Sequence, residues 1–439
     1  MDKCIEETVC EEKEESPKSQ TTLNQLRNFS KYLVEALASL PNPREVIMAK
    51  YTGPKGERST LTFKLPCYRQ KEGCYTTNKF ILNNENIKID KITRFDENEF
   101  SAPMYEDIQI KREKWVPLLV RAWIFLHYKN KTFAAYSDWT GLDAYIQFNF
   151  NKKYNVLAKE LVDGLRNHLK DKSFLKGERI KLVKGYYFDF LDYPKLDWDD
   201  IILSKEVKDE IFLNIVFPLS NEELCKKHSL QWRRGVLLGG EPGTGKTKLA
   251  KVLCNKLDGC TVIWVTAESI SESNHIKTLF TAARYFAPVL IVIEDIDFLG
   301  KDREIQHSPV VGELLTQLDG SAPNDGIFVL ASSNRPGLLD KALANRPGRF
   351  DVKLEVKLPS KKARLKMIEL FSKGKQFESN IDFNDLAVRT EGLTGAHIQE
   401  SLVYAMLDSL HKGNSKIKLS SIDKAIKRMK DAPRLEMIS

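Results

Sequence analysis

Between residues 234 and 250 the chain reads RGVLLGGEPGTGKTKLA. A short apolar run gives way to Gly240, Glu241, Pro242, Gly243, Thr244, Gly245, Lys246, Thr247 and Lys248, and then to a helical stripe of Leu249, Leu253 and Leu257. This is G-x-x-x-x-G-K-[ST] set between a strand and a helix, the context in which that spacing holds phosphates. Glycines there let successive backbone N–H groups turn inward, and the helix N-terminus adds partial positive charge. Lys246 is placed to reach the β- and γ-phosphates of a nucleotide, and the Thr247 hydroxyl to ligate Mg2+. A Gly-rich turn with no ligand has no need of all these fixed positions together.

A second cluster stands at 289–297, VLIVIEDID, where a buried strand ends in Glu294, Asp295 and Asp297. In an open α/β sheet ligands sit beyond the carboxyl ends of the strands, so these acids are expected to face the phosphates held by the loop. Other chemistries find little support. None of the seven histidines falls in H-E-x-x-H, so that zinc site is missing and a membrane zinc protease is not expected. The seven cysteines, of which Cys67 and Cys74 form the close pair of the N-terminal region, match neither zinc spacing nor a disulfide framework, and reduced thiols are expected.

The elements that must position these residues follow from the pattern around them. Strands RGVLLGG, TVIWVT, VLIVIED, GIFVLASSN and KLEVKL alternate with helical periods over 196–358, which predicts an α/β nucleotide-binding domain, a parallel sheet sandwiched by helices. Beyond Pro359 the periods are helical, predicting a C-terminal helical lid over 359–439. Residues 1–20 are acidic and nearly free of large apolar groups, so they are expected to form a disordered tail. Residues 21–195 predict an α+β N-terminal domain for substrate or partner recognition, with a helical stripe from Leu23 to Leu37, strands RSTLTFKL and AYIQFNF, and a second stripe from Val156 to Leu169. The apolar run Trp115–Tyr128 is interrupted by Arg121 and too short to span a bilayer, and the Glu-rich first residues are unlike a signal peptide. With 42% hydrophobic and 29% charged residues, a soluble, cytoplasmic protein is expected. A net charge of +8 over 439 residues is modest, and the basic stretch KGNSKIKLSSIDKAIKRMK is open to two readings, a nucleic-acid contact or the solvated face of a terminal helix.

The segments ELLTQLDG at 313–320, LASSNRP at 330–336, NRPGRFD at 345–351 and TEGLTGAHI at 390–398 follow the phosphate loop in a fixed order. Together these motifs resemble the AAA family of ATPases from about Leu196 to Lys430. The resemblance implies ATP with Mg2+, and an adenine pocket formed by Ile201, Gly395 and Ala396. It implies Asn334 as the polar sensor that orients the attacking water. Arg346 and Arg349 stand at the positions of arginine fingers that reach a neighbouring subunit's nucleotide, so a homo-oligomeric ring, usually a hexamer, is implied. The function it implies is an ATP-hydrolysing motor that remodels a protein partner; alternatives are a slow or nucleotide-gated assembly scaffold and a nucleic-acid-directed ATPase.

Departures from the family pattern accompany the match. Most relatives end the acid-tipped strand in Asp-Glu, whereas here Glu294 takes the magnesium-side position and Asp295 that of the general base, each carboxylate displaced by roughly 1.5 Å. The same order occurs in the mitochondrial AAA protein that assembles the respiratory bc complex, to which this site is similar. Before the core, Asp200 is followed by Ile201, Ile202 and Leu203 rather than Ile-Gly-Gly. Where unfoldases of the family carry an aromatic pore loop, this chain has ISESNH, so threading by aromatic residues is not expected. GKDREIQHSP at 300–309 reads equally as a polar pore loop or a surface loop.

Overall fold

The computed structural model describes residues 27–32, 42–96, 99–141, 144–169, 173–299, 308–319, 323–335 and 350–431. The acidic tail, most of the Leu23–Leu37 stripe, residues 300–307 and both candidate arginine fingers lie outside the described residues.

The N-terminal domain is built on a largely antiparallel sheet of β1 (Arg58–Leu65), β2 (Ile87–Asp96), β3 (Glu99–Ser101), β4 (Met104–Lys111), β5 (Lys114–Tyr128), β6 (Lys131–Asp138) and β7 (Ala144–Asn151), in the order β1-β7-β6-β5-β2-β3 with β4 also paired to β5. The apolar run noted at Trp115–Tyr128 is the central strand β5, and it is nearly continuously apolar because both its faces are covered. Successive side chains point to opposite faces. Trp123 and Phe125 therefore pack with Met48 and Tyr51 of α1 (Pro43–Thr52). Ile124 and Leu126 pack with Phe80 and Ile81 of α2 (Gln70–Asn83) and Leu161 and Leu165 of α3 (Asn155–Leu169).

The second sheet has the order β14-β10-β13-β12-β11-β8-β9, from β8 (Arg179–Val183), β9 (Tyr187–Phe190), β10 (Arg234–Gly239), β11 (Thr261–Val265), β12 (Val289–Ile293), β13 (Ile327–Ser333) and β14 (Val352–Glu355). Strands β8 and β10–β14 run parallel to their neighbours, and β9 is antiparallel to β8. On one face lies α5 (Lys246–Lys256), whose Leu249, Val252 and Leu253 share a core with Val236, Leu238 and Phe328. Shorter α4 (Lys205–Ile211) joins that core through Val207 and Ile211. The other face is covered by α6 (Ser273–Phe286) and α7 (Pro309–Leu318) through Leu279, Phe280, Phe286 and Leu314. The lid, α8 (Lys361–Ser372), α9 (Phe383–Arg389), α10 (Gly395–His411) and α11 (Leu419–Asp431), has its own core of Met367, Ile368, Leu386, Ile398 and Ile426.

The expected boundary at 195/196 separates elements that the sheet pairs. Strands β8 and β9 precede it, yet β8 pairs with β11 as an added strand of the nucleotide-binding sheet. Their lengths of 5 and 4 residues and their position between a helix and a loop gave no periodic signal of which sheet they join. Pairing is a tertiary choice.

The two domains are also bonded through polar side chains. Glu72 on α2 is fully buried and accepts from Arg69 Nε at 3.1 Å and from the Ser173 hydroxyl. Burial pushes its carboxyl upward, against the lowering effects of Ser173 and Arg69. The Arg69 guanidinium stacks 4.0 Å from the centroid of Tyr285 near the end of α6, and Lys71 pairs with Asp189 on β9.

Candidate functional site

At the carboxyl end of β10 the chain turns through Gly240–Gly245 into α5, and Gly243 adopts φ +80°. A Cβ on Gly243 would stand 2.7 Å from Ala396 Cβ and 2.8 Å from Thr394 Oγ1, so glycine lets the loop touch the lid. The contact is closed by the Ala396 N–H donating to the Gly243 carbonyl at 3.1 Å. Thr394 caps α10 in a reciprocal box with His397, which fixes where Gly395 and Ala396 meet the loop.

A cleft of about 600 Å³ opens between the loop, the strand ends and the lid. Ile201, Pro242, Gly243, Thr244, Gly245, Lys246, Thr247, Lys248, Asp295, Asn334, Gly395 and Ala396 line it, all singled out in the sequence. Gly240, Glu241 and Glu294 do not line it. Gly240 and Glu241 act through their carbonyls, which accept from Lys246 Nζ at 2.6 and 3.0 Å. Burial lowers the Lys246 pKa while Asp295 and Asp297 oppose the shift, so cation and acids share one electrostatic site.

Asp295 carries the sharpest local geometry. Its backbone is left-handed, φ 49° and ψ 55°, which is uncommon for a residue with a side chain and turns the carboxylate away from the strand direction. Its N–H donates to Ser332 Oγ at 3.2 Å, and its Oδ1 accepts from Asn334 Nδ2 at 2.8 Å. Burial raises the Asp295 pKa, Asp297 and Glu294 add to the rise, and Lys246 and Asn334 oppose it. A carboxylate with a raised pKa, bonded to a polar amide and facing a lysine, is suited to accept a proton from water.

The order Glu294-Asp295 is thereby only partly reflected in the expected exchange of roles. Asp295 faces the cleft, but the Glu294 carboxylate accepts from the indole Nε1 of Trp264 on β11 at 2.9 Å. The shared face of two neighbouring strands brings them together, which no linear motif announces. Asp297, expected with its neighbours to face the phosphates, is buried and does not line the cleft; its Oδ1 accepts the Asn334 N–H at 3.2 Å and so holds the Asn334 backbone. The lid side chains Met367, Leu370, Phe371 and Gln399, with Pro194, Leu196 and Lys251, also line the cleft and were not identified as site residues from sequence, and Asp200 and Ile202 line it beside Ile201.

Behind the site Arg179 of β8 grips the far end of α5. Its guanidinium donates to the carbonyls of Cys254 at 2.6 Å, Gly177 at 2.7 Å and Cys260 at 3.3 Å, and to that of Leu257. These include carbonyls that the helix end leaves unpaired, and a cation is favoured there.

Cys67, Cys74, Cys225, Cys254 and Cys260 are free thiols, and among the described residues no cluster of His, Cys, Asp and Glu is suited to a metal. No helix among them is long and apolar enough to cross a membrane.

A parallel sheet, a phosphate-type loop, an acid-tipped neighbouring strand and a lid around one cleft define a P-loop nucleotide-binding domain. Residues 236–358 match the ATPase family associated with various cellular activities (AAA). The chain is 34% identical over 254 residues to the ATP-dependent zinc metalloprotease FtsH of Mycoplasma mobile, covering 55% of this chain and 36% of that protein. It is 31% identical over 272 residues to the proteasome-activating nucleotidase of Aeropyrum pernix, covering 59% of this chain and 65% of that one. It is also 34% identical over 244 residues to the ATP-dependent zinc metalloprotease FtsH 2 of Symbiobacterium thermophilum, covering 52% of this chain and 41% of that protein. The chain thus spans about a third to two thirds of the length of these relatives.

Proposed function

We propose that this chain binds and hydrolyses ATP with Mg2+, and that in a ring of like chains it couples turnover to remodelling of a protein partner. The observation that carries the reading is the convergence of Lys246, Asp295 and Asn334 on one cleft whose opposite wall is the lid. The loop amides and Lys246 hold the triphosphate, Thr247 is the residue suited to hold Mg2+, and Ile201, Gly395 and Ala396 receive the base. Bound Mg2+ would neutralise charge on the phosphates. Asp295 accepts the proton of the attacking water, which Asn334 orients. Arg346 and Arg349, outside the described residues, would complete the site of an adjoining chain. Relatives named as an ATP-dependent protease and a proteasome-activating nucleotidase support a protein as the object of the work.

Coupling to the N-terminal domain is supported by the way the end of α6 is held, its start being held by the nucleotide-binding sheet's own β8–β9 turn. Near its start, His275 lies edge-to-face with Tyr186 at 4.6 Å and its Nδ1 accepts the Ser271 N–H at 3.2 Å. Near its end, Tyr285 meets Arg69 and Glu72. His275, the last residue of ISESNH, is packed against the β8–β9 turn, while Ser271, Glu272 and Asn274 are exposed and offer no aromatic group for threading.

A second reading, a nucleotide-gated assembly scaffold with slow hydrolysis, draws on the engagement of Glu294 by Trp264 and on the Glu-Asp order shared with the bc-complex assembly protein. Phosphate release by the purified chain separates the readings. The motor reading expects Mg2+-dependent turnover that Lys246→Ala abolishes; tight ATP binding without turnover in the assembled oligomer selects the scaffold, and absence of ATP binding removes both.

A further inference from the structure

Strand β5 of the N-terminal domain changes partners along its length: β4 pairs with Lys114–Arg121, and β2 with Trp123–Tyr128. At that junction a pocket of about 50 Å³ lies between α2 and the sheet, and it shares no lining residue with the nucleotide cleft. Ile92 of β2, Ile124 of β5 and Ile81 of α2 supply apolar walls, and the exposed Leu82 and Tyr105 stand at the mouth. A water needs about 10–15 Å³ on this scale, so the pocket has room for about four or five heavy atoms.

Its polar groups set the chemistry. Among the described residues four side-chain polar atoms are fully buried with no hydrogen-bond partner, and two of them, Thr77 Oγ1 on α2 and Ser137 Oγ on β6, belong to this pocket. Each residue is 2% exposed, and a hydroxyl so deeply buried is costly to leave unpaired. Asn78, also in the lining, is already engaged: its amide donates to the Leu119 carbonyl at 3.1 Å and accepts the Leu119 N–H at 3.0 Å, tying α2 to β5. No charged residue lines the pocket, so a carboxylate or ammonium entering it would lose its hydration without a counter-charge. Two hydroxyls, each able to donate and to accept, are matched by one neutral group that does both, which a carboxamide does through separate atoms.

We propose that this pocket binds a short aliphatic group ending in a carboxamide, as a free small amide or as a glutamine side chain of a polypeptide, with the Thr77 and Ser137 hydroxyls as its hydrogen-bond partners. The proposal is independent of the nucleotide site.

A saturation-transfer NMR titration of propionamide against the full chain tests it, since propionamide has the heavy atoms of a glutamine side chain. Propionamide is expected to bind with an affinity on the order of millimolar, and propionate, of the same size but charged, at least about tenfold more weakly. Thr77→Val and Ser137→Ala, each of which removes one hydroxyl, are expected to weaken propionamide about three- to tenfold. Thr77→Val keeps the side-chain shape and should melt no lower than wild type, because the hydroxyl it removes has no partner in the fold; a merely structural role would lower the melting temperature and leave propionamide affinity alone. A heptapeptide with a central glutamine identifies the source. Tighter binding than propionamide, with the gain lost in Leu82→Ser, assigns the group to a polypeptide, and no gain assigns it to a free amide. Absence of propionamide binding, equal binding of propionate, or unchanged propionamide affinity in both hydroxyl variants overturns the proposal. Should one of those variants fail to fold, the other decides.

Discussion

Replacing Arg179 by alanine tests whether the added strand β8 holds the nucleotide site from behind. The guanidinium makes short bonds to the carbonyls of Cys254 and Gly177, at 2.6 and 2.7 Å, besides those to Leu257 and Cys260. A hydrogen bond to a charged group contributes about 1.5–3 kcal/mol, and Arg179 is only half-buried, so water can re-solvate part of what is lost. Taking the lower figure for the two short bonds, the loss is about 3 kcal/mol. For a domain of this size that corresponds to a melting temperature lower by roughly 6–12 °C. Circular dichroism melting measures the fall, and hydrogen exchange should show it concentrated in α5, whose opposite end carries Lys246 and Thr247. Arg179→Lys keeps the charge but cannot fork between carbonyls, and is expected to melt between the two. If the alanine variant melts within about 1 °C of wild type, or loses protection evenly along the chain, β8 does not brace the helix and the reasoning fails.

On the proposed reading Lys246 makes a charge-assisted contact to phosphate, so Lys246→Ala should weaken binding of a fluorescent ATP analogue at least about a hundredfold. Asp295→Asn should retain ATP binding and the bond from Asn334 while hydrolysis drops by about 10²–10⁴, read as phosphate release. Because the Asp295 pKa is raised in the fold, its stabilising contribution is present below the unfolded pKa and is lost as pH rises through the folded value; the asparagine variant should therefore melt no lower than wild type at neutral pH. The same shift means that wild-type hydrolysis should decline on acidification from a higher pH than an ordinary aspartate would give, and a decline confined to the ordinary aspartate range would argue against Asp295 as the base. Gly185→Ala should destabilise by about 1–3 kcal/mol in urea unfolding, since Gly185 has φ +73° and a Cβ there would lie 2.2 Å from His275.

The sequence by itself determined the chemistry of the phosphate side. Gly243, Gly245, Lys246 and Thr247 lie within five residues, so local backbone rules dictate their geometry, and five-residue apolar β11 and β12 have the length and β-branched content of buried strands. Asp295 could be placed because it follows such a strand, whereas Asn334 was placed by resemblance to the family motif at the end of β13. What only the tertiary structure decided are relations between elements distant in sequence. Glu294 meets Trp264 across a strand pair, Asp297 holds the Asn334 backbone, and Arg179 from the N-terminal side caps a helix 75 residues further on. Strands β8 and β9 joined the sheet beyond the boundary that composition suggested. Periodicity records which face of an element is buried; it does not record which neighbour buries it, and hydrogen bonds between side chains on separate elements exist only once that choice is made.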